Sequence, residues 1–202
     1  MELLTAKPIR RPIRTHLLLS LAVLLSAAGC ASSRSFTPDM DPNTLDGTSF
    51  LHYLSPLPAV TVEEACRAII LIADGKENLQ TFEARYQELL DRGVIRSAWN
   101  LEADHLLDKA TLAYMAVKVC HVEPGFNSLL LGSWGLGDRH YALQDAVAAG
   151  LMLYDADFKA VRGGELVGVL ARMDDLMAKK GLYAGTAQDV DSPEDLDQSA
   201  PP

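Results

Sequence analysis

Five stretches of the chain repeat apolar residues at the three- and four-residue spacing of an amphipathic helix. They are VTVEEACRAIILIADG from residue 60, TFEARYQELLDRGVI from 81, DKATLAYMAVKVC from 108, DRHYALQDAVAAGLM from 138 and GGELVGVLARMDDLMAKKG from 163. No stretch carries the sustained two-residue alternation of a half-buried strand. The pattern therefore predicts a mainly α-helical fold.

The predicted helices carry start and stop signals. Thr61 is followed three residues later by Glu64, which is the spacing of a capping box. Gly93, Gly150 and Gly181 end three of the stretches, since glycine readily adopts the left-handed backbone conformation that closes a helix. Helix boundaries are therefore expected at these residues.

Two parts of the helical region repeat each other. YQELLDRGVIRSAWNLEADHLLDKATLAYMAVKV aligns with YALQDAVAAGLMLYDADFKAVRGGELVGVLARM, so that Gly93 pairs with Gly150 and Leu107 with Val161. Each unit consists of a helix, a glycine stop with an apolar pair, a short loop and a second helix. The period is about 55 residues, so the chain is expected to form helix-loop-helix repeats.

This order of elements resembles the S-layer homology (SLH) domain. In that family the second helix of each repeat opens on an Ile-Thr-Arg-Ala-Glu-type motif, whose counterparts here are LDKAT from Leu107, VRGGE from Val161 and AVTVEE from Ala59. The resemblance implies a small helical domain at 54–182 with a partial repeat at 54–75 and full repeats at 80–121 and 138–178.

The resemblance also implies a ligand. SLH domains commonly attach proteins to cell-wall polysaccharide, and the motif's arginine contacts the anionic glycan. Lys109 keeps a positive charge at the matching position, while Val62 and Gly163 do not. Glu64 and Glu165 keep the motif's acid. Lys109 and Glu165 are thus implied ligands. From the residues alone, the simpler interpretation of Lys109 is a solvated helix-start residue, and Glu165 serves equally well as a first-turn acid that favours the helix dipole.

The N-terminus has the composition of an export signal. Basic residues precede an apolar run from Leu17 to Gly29, and Ala27-Ala28-Gly29-Cys30 resembles the lipobox of bacterial lipoproteins. We expect a signal peptide at 1–29 and a lipidated Cys30 that carries palmitate-type chains; an ordinary secretory signal with an incidental cysteine is the alternative. Residues 30–53 are rich in Ser, Thr, Pro and Asp and predict a flexible tether, and 183–202 predict an acidic disordered tail.

The net charge limits the classes of partner that the chain is expected to bind. The chain has a formal charge of −9, and removal of the signal takes away four basic residues and one acidic residue, which leaves the mature chain near −12. Such a chain is repelled by phosphate backbones, so nucleic acid is excluded as a partner. The expected location is the cell envelope, at the outer membrane or the periplasmic face of the inner membrane. There Cys66 and Cys120 form either a disulfide or two buried thiols.

The segment LLLGSWGLGDRHY from Leu129 places a glycine-rich loop before a helix, as phosphate-binding sites do. The spacing of Gly132, Gly135 and Gly137 matches no nucleotide fingerprint, and Asp138, the expected N-cap, puts a negative charge where a phosphate would sit. The loop is therefore interpreted as a connector between repeats. Trp134 either packs over the seam or offers an aromatic face to a sugar.

No catalytic constellation and no metal-ligand spacing is present in the sequence, and no cofactor is expected. The leading hypothesis is a non-catalytic lipoprotein whose SLH-like repeats bind peptidoglycan, cell-wall polysaccharide or another envelope component. The alternative is a structural or assembly module that binds partner proteins and has no glycan site.

Overall fold

The computed structural model describes residues 32–34, 40–131 and 137–183. The predicted signal peptide, Cys30, Trp134 and most of the predicted acidic tail lie outside these residues. From Ser33 onward the described residues belong to one compact unit. The helices are α1 (Gly47–Leu54), α2 (Val62–Asp74), α3 (Phe82–Asp91), α4 (Lys109–Val119), α5 (Phe126–Leu131), α6 (Asp138–Ala148) and α7 (Gly163–Lys179).

The mainly helical fold predicted from the sequence is confirmed. Within the described residues the β-type pairing is limited to isolated bridges, and none of the described helices is long and apolar enough to cross a membrane. The capping box of Thr61 and Glu64 is present with both of its hydrogen bonds. Gly93, Gly150 and Gly181 adopt left-handed backbone at φ values of 66°, 75° and 64°.

The structure corrects three local expectations. Helix α1 lies inside the predicted tether, and its Phe50 and Leu54 are fully buried in the core. The tether prediction is therefore wrong for residues 47–53. Helix α5 was not predicted. Gly137, rather than Asp138, takes the N-cap position of α6, and Asp138 is its first residue.

The core is built around α2, α4 and α7. Helix α2 packs against α3, α4 and α7, while α6 lies along α4. The largest fully buried apolar side chains are Phe50, Leu54, Ile69, Leu89, Ile95, Leu107, Leu112, Met115, Leu143, Leu151 and Leu166. These side chains come from every helix of the unit except α5, so they join the helices in one hydrophobic core.

A closed cycle of backbone hydrogen bonds joins the starts of the three central helices. Val60 N–H donates to the carbonyl of Val161, Val161 N–H to that of Leu107, and Leu107 N–H to that of Val60, each over 2.9 Å. Each of these residues directly precedes the N-cap of α2, α4 or α7. We call this arrangement the ring. It gives equivalent positions to Leu107 and Val161, which the sequence alignment pairs.

The first backbone N–H group of each central helix also donates a hydrogen bond to the loop that precedes the next helix in the ring. The first N–H groups of α2, α4 and α7 donate to the carbonyls of His105, Lys159 and Leu57 over 2.9, 3.1 and 2.9 Å. Helix starts leave such donors without intrahelical partners, so these bonds satisfy groups that would otherwise need water. The ring therefore fixes the register of the three central helices.

The two cysteines of the described region are free and buried. Of the two alternatives left by the sequence, the structure contains the pair of buried thiols and no disulfide between them. Burial raises the pKa of the Cys66 thiol to about 12 and that of Cys120 to about 11. Both groups are therefore protonated at neutral pH, which makes them poor nucleophiles.

Candidate functional site

Lys109, the residue implied as a glycan ligand, is not a solvated helix-start residue. Its side chain is 7% exposed, and Nζ lies 2.6 Å from both Asp155 Oδ2 and Glu165 Oε1. Burial opposes its charge, but hydrogen bonds to Asp155 and Glu165 outweigh that penalty and raise the pKa of Lys109. The interpretation of Lys109 as a solvated residue is therefore wrong, because its ammonium group forms ion pairs within the protein.

Glu165 meets Lys109 in the same contact. The two residues come from the first turns of α7 and α4, which the ring brings together. The two residues that the sequence implies as glycan ligands therefore do lie side by side, but they bind each other. A pair that neutralises itself presents little charge to a ligand.

A cleft with a volume of about 420 Å³ lies beside the start of α4. Its walls include Trp99, Phe158, Arg139, His140 and Asp157, and we call it the aromatic cleft. Trp99 belongs to the short 3-10 turn at Ser97–Trp99, while Arg139 and His140 lie in the first turn of α6. Side chains separated by up to 59 positions in the sequence thus converge on one concave surface.

Arg139 contacts two aromatic rings. Its guanidinium carbon lies 5.2 Å from the ring centre of Trp99 and 5.8 Å from that of Phe158, which are distances of cation–π contacts. Nη1 also donates to Thr111 Oγ1 over 3.1 Å and lies 3.3 Å from Asp108 Oδ2 at the start of α4. These contacts orient the guanidinium group in the cleft wall.

His140 and Asp157 form a second polar pair in the cleft. His140 Nδ1 lies 2.7 Å from Asp157 Oδ2, so Nδ1–H donates a hydrogen bond to the carboxylate. The other ring nitrogen lies 3.0 Å from Gln144 Nε2. Since both side chains are partly exposed, the pair can offer hydrogen bonds to a ligand.

Asp138, which also lines the aromatic cleft, has an unused acceptor. The residue is 8% exposed, and its Oδ2 atom is buried without a hydrogen bond. Arg96 Nε lies 2.9 Å from this oxygen but donates its hydrogen bond to Tyr114 Oη over 3.1 Å. The charge on Oδ2 is therefore compensated by the neighbouring guanidinium group rather than by a hydrogen bond, and the buried atom is not exposed to the cleft.

Phe158 is the most conspicuous residue of the cleft because it is 77% exposed. Large exposed apolar side chains that line a cavity are typical of binding surfaces. Sequence reasoning missed Phe158 as a site residue and chose Trp134, which lies outside the described residues. One signal was present: the repeat alignment places Phe158 opposite Leu101, in the loop before the second helix.

A group of potential metal ligands lies elsewhere, at Glu102, Asp104 and His105, whose ligand atoms lie within 4.8 Å of one another. His105 Nδ1 accepts a hydrogen bond from the Glu102 N–H over 3.2 Å, and Nε2 lies 3.3 Å from Glu102 Oε2. Both ring nitrogens thus have local partners, and the two carboxylates are exposed. The group supplies no argument for a metal site.

The chain was compared with protein-family models, curated proteins and solved structures, and none of the three comparisons found a match.

Proposed function

We propose that the protein is a non-catalytic, lipid-anchored component of the cell envelope that binds cell-wall glycan in the aromatic cleft. The anchor is argued from the sequence before Cys30, and the glycan from the resemblance to SLH repeats together with the chemistry of the cleft. No cofactor is part of the proposal.

The observation that carries the glycan proposal is the contact of Arg139 with the rings of both Trp99 and Phe158 in the cleft wall. A sugar ring has an apolar face of C–H groups and an edge of hydroxyl groups, so it can pack on an aromatic side chain and bond to polar neighbours. The cleft supplies both: aromatic surface at Phe158, and partly exposed hydrogen-bonding atoms at His140 and Asp157.

We assign the glycan contact to a residue other than Lys109, which the resemblance to SLH repeats implies. In SLH repeats the motif's arginine contacts the glycan, and its counterpart Lys109 is buried against Asp155 and Glu165. Arg139 also pairs with an acid, Asp108, at the same helix start, but its side chain is 28% exposed, whereas that of Lys109 is 7% exposed. We therefore assign the contact with an acidic sugar to Arg139 and give Lys109 a structural role.

The test is co-sedimentation of the full mature chain, with Cys30→Ser to remove the lipid, with isolated cell-wall sacculi. Phe158→Ala and Trp99→Ala are expected to lower the bound fraction several-fold. Leu153→Ala is the matched control, because Leu153 is similarly exposed but lies outside the cleft. If the wild-type chain stays in the supernatant, or if the three variants bind alike, the glycan proposal is wrong.

The alternative function, an assembly module without a glycan site, is favoured by a different surface. Helix α5 exposes Phe126, Leu129 and Leu130, and apolar residues grouped on one exposed helix are typical of protein contacts. Under this alternative, sacculi fail to bind the chain, while cross-linking through residues of α5 captures an envelope protein.

The anchor is tested separately. Cells that express the chain are grown with a fatty-acid analogue, and the protein is expected to become labelled. Cys30→Ala should abolish the label without changing expression of the precursor. A labelled Cys30→Ala variant would remove Cys30 as the lipidation site.

A further inference from the structure

We propose that Glu64 and Tyr53 form a buried binding site for an organic cation, and that Arg34 fills this site from within the same chain. Arg34 Nη1 donates to both carboxylate oxygens of Glu64, over 2.7 and 2.8 Å. The Tyr53 hydroxyl donates to Glu64 Oε1 over 2.7 Å. The site lies where polar composition predicts a flexible tether.

Glu64 needs a cation because it is almost completely buried. Its side chain is 2% exposed, and the remaining hydrogen bonds to its carboxylate come from the Thr61 N–H and hydroxyl, over 2.9 and 3.0 Å. Hydrogen bonds reduce the cost of a buried charge, but an opposite charge is needed to offset the rest. Arg34, whose side chain is 11% exposed, supplies it.

The ring shows why the cation comes from so far away in sequence. At one junction the first residue of α4, Lys109, reaches the third residue of α7, Glu165. The equivalent residues at the next junction are Gly163, the first of α7, and Glu64, the third of α2. The acid is therefore present there, and the position that should carry its cation is a glycine.

The remaining junction fits the same rule. It places Val62, the first residue of α2, opposite Thr111, the third residue of α4. Neither residue is charged, so neither position needs an opposite charge across the junction. Among the three junctions, an acid without a cation at its own ring position occurs at Glu64, and this is the acid that Arg34 contacts.

Gly163 cannot carry the missing side chain. A Cβ atom at this position would lie 1.6 Å from the carbonyl oxygen of Leu54, which is backbone and cannot move aside. The close approach between α1 and the start of α7 thus excludes every residue except glycine. A cation for Glu64 has to enter from outside the ring.

The backbone of the 33–34 segment is positioned to deliver it. Ser33 forms an antiparallel bridge with His105, and the Arg34 N–H donates to the carbonyl of Asp104 over 3.3 Å. The segment therefore adds to the loop that supports the start of α2, next to Glu64. Backbone pairing sets the position of Arg34, and the ion pair sets the direction of its side chain.

The test is thermal unfolding of the full mature chain with Cys30→Ser, compared with the same chain carrying Arg34→Ala. Loss of the buried pair is expected to lower the unfolding midpoint by about 10 °C. Guanidinium or ethylguanidinium chloride, at concentrations far below those that denature proteins, should raise the midpoint of Arg34→Ala and leave the wild-type midpoint unchanged. Sodium chloride at equal ionic strength is the salt control.

Two further variants complete the test. Arg92→Ala removes an exposed ion pair and should change the midpoint little. Arg34→Ala with Glu64→Gln removes both charges, so it should be more stable than Arg34→Ala and insensitive to guanidinium. If Arg34→Ala does not fold, recovery of folding in the double variant supports the site, and its failure overturns it. The proposal is also overturned if Arg34→Ala melts like the wild type, or if guanidinium shifts all variants equally.

Discussion

Replacement of Arg85 by methionine tests the buried ion network that joins α2, α3 and the segment before α1. The Arg85 side chain is 2% exposed; Nε lies 3.2 Å from Glu77 Oε1, and two other nitrogens donate over 2.7 Å to Asn43 Oδ1 and the carbonyl of Leu79. Methionine keeps most of the side-chain length and a similar helix propensity. The substitution therefore removes the charge and the donors while it leaves the helix intact.

The expected cost follows from these partners. Breaking a buried ion pair costs about 3–5 kcal/mol, because the remaining charge stays buried without compensation. Glu77 keeps one partner, Arg67 Nε at 3.2 Å, so the lower end of that range applies. A loss of about 3 kcal/mol in a domain of this size corresponds to a fall of roughly 10 °C in the unfolding midpoint.

The assay is urea unfolding followed by circular dichroism, with Arg92→Met as the matched control. Arg92 pairs with Asp74 and Glu88 over 2.7 Å, but it is about one-third exposed, so its loss should cost less than about 1 kcal/mol. A double-mutant cycle of Arg85→Met and Glu77→Gln should give a coupling free energy above about 1 kcal/mol. Equal losses of stability for Arg85→Met and Arg92→Met would refute the reasoning.

Four further outcomes are expected. Lys109→Ala should lower the thermal midpoint, since it leaves the partly exposed carboxylates of Asp155 and Glu165 without their ammonium partner, while glycan co-sedimentation below the midpoint stays at the wild-type level. Gly163→Ala should give a chain without the cooperative thermal transition in circular dichroism, because its Cβ would overlap the Leu54 carbonyl; a wild-type melting curve would contradict the close approach. Cys66 and Cys120 should react with a disulfide reagent at pH 8 only after denaturant is added. In a separate measurement, the free energy of unfolding should fall as the pH rises above about 9. The reason is that burial raises the pKa of both thiols in the folded chain, so they ionise at lower pH in the unfolded chain than in the folded one.

Local signals predicted the helices well. The capping box at Thr61 and the glycine stops at Gly93 and Gly150 depend on neighbouring residues, so they can be identified without tertiary contacts. The same reasoning failed for α1, whose two buried anchors, Phe50 and Leu54, are too few to show a clear period. That helix is held by its packing on the core and is not evident from its own sequence.

Burial of charged residues could not be predicted from local pattern. Phe82 and Tyr86 belong to the apolar spacing of α3, yet the structure buries Arg85 of the same helix and leaves those two rings partly exposed. The partners of Arg85 lie in other elements, as do those of Lys109. Whether a charge is solvated or paired depends on these distant residues, and the sequence does not show which of them meet.

The aromatic cleft illustrates the same limit. Trp99 and Phe158 are separated by 59 positions, and their shared contact is Arg139 on a third element. The repeat alignment could have marked the loop around Phe158, because it anticipates equivalent positions such as Leu107 and Val161. It could not show that the loop of one unit faces the helix start of another.

The ring has a consequence for how this protein folds and evolves. Its three bonds connect Val60, Leu107 and Val161, so closure joins parts of the chain that are about one hundred residues apart. An open solenoid gains or loses a unit at its end with little effect on the others, whereas a closed cycle of three has no free end to trim or extend. We expect this chain to fold in a single cooperative step, which cannot be completed until the last helix, α7, is present. We also expect its relatives to keep the number of units at three.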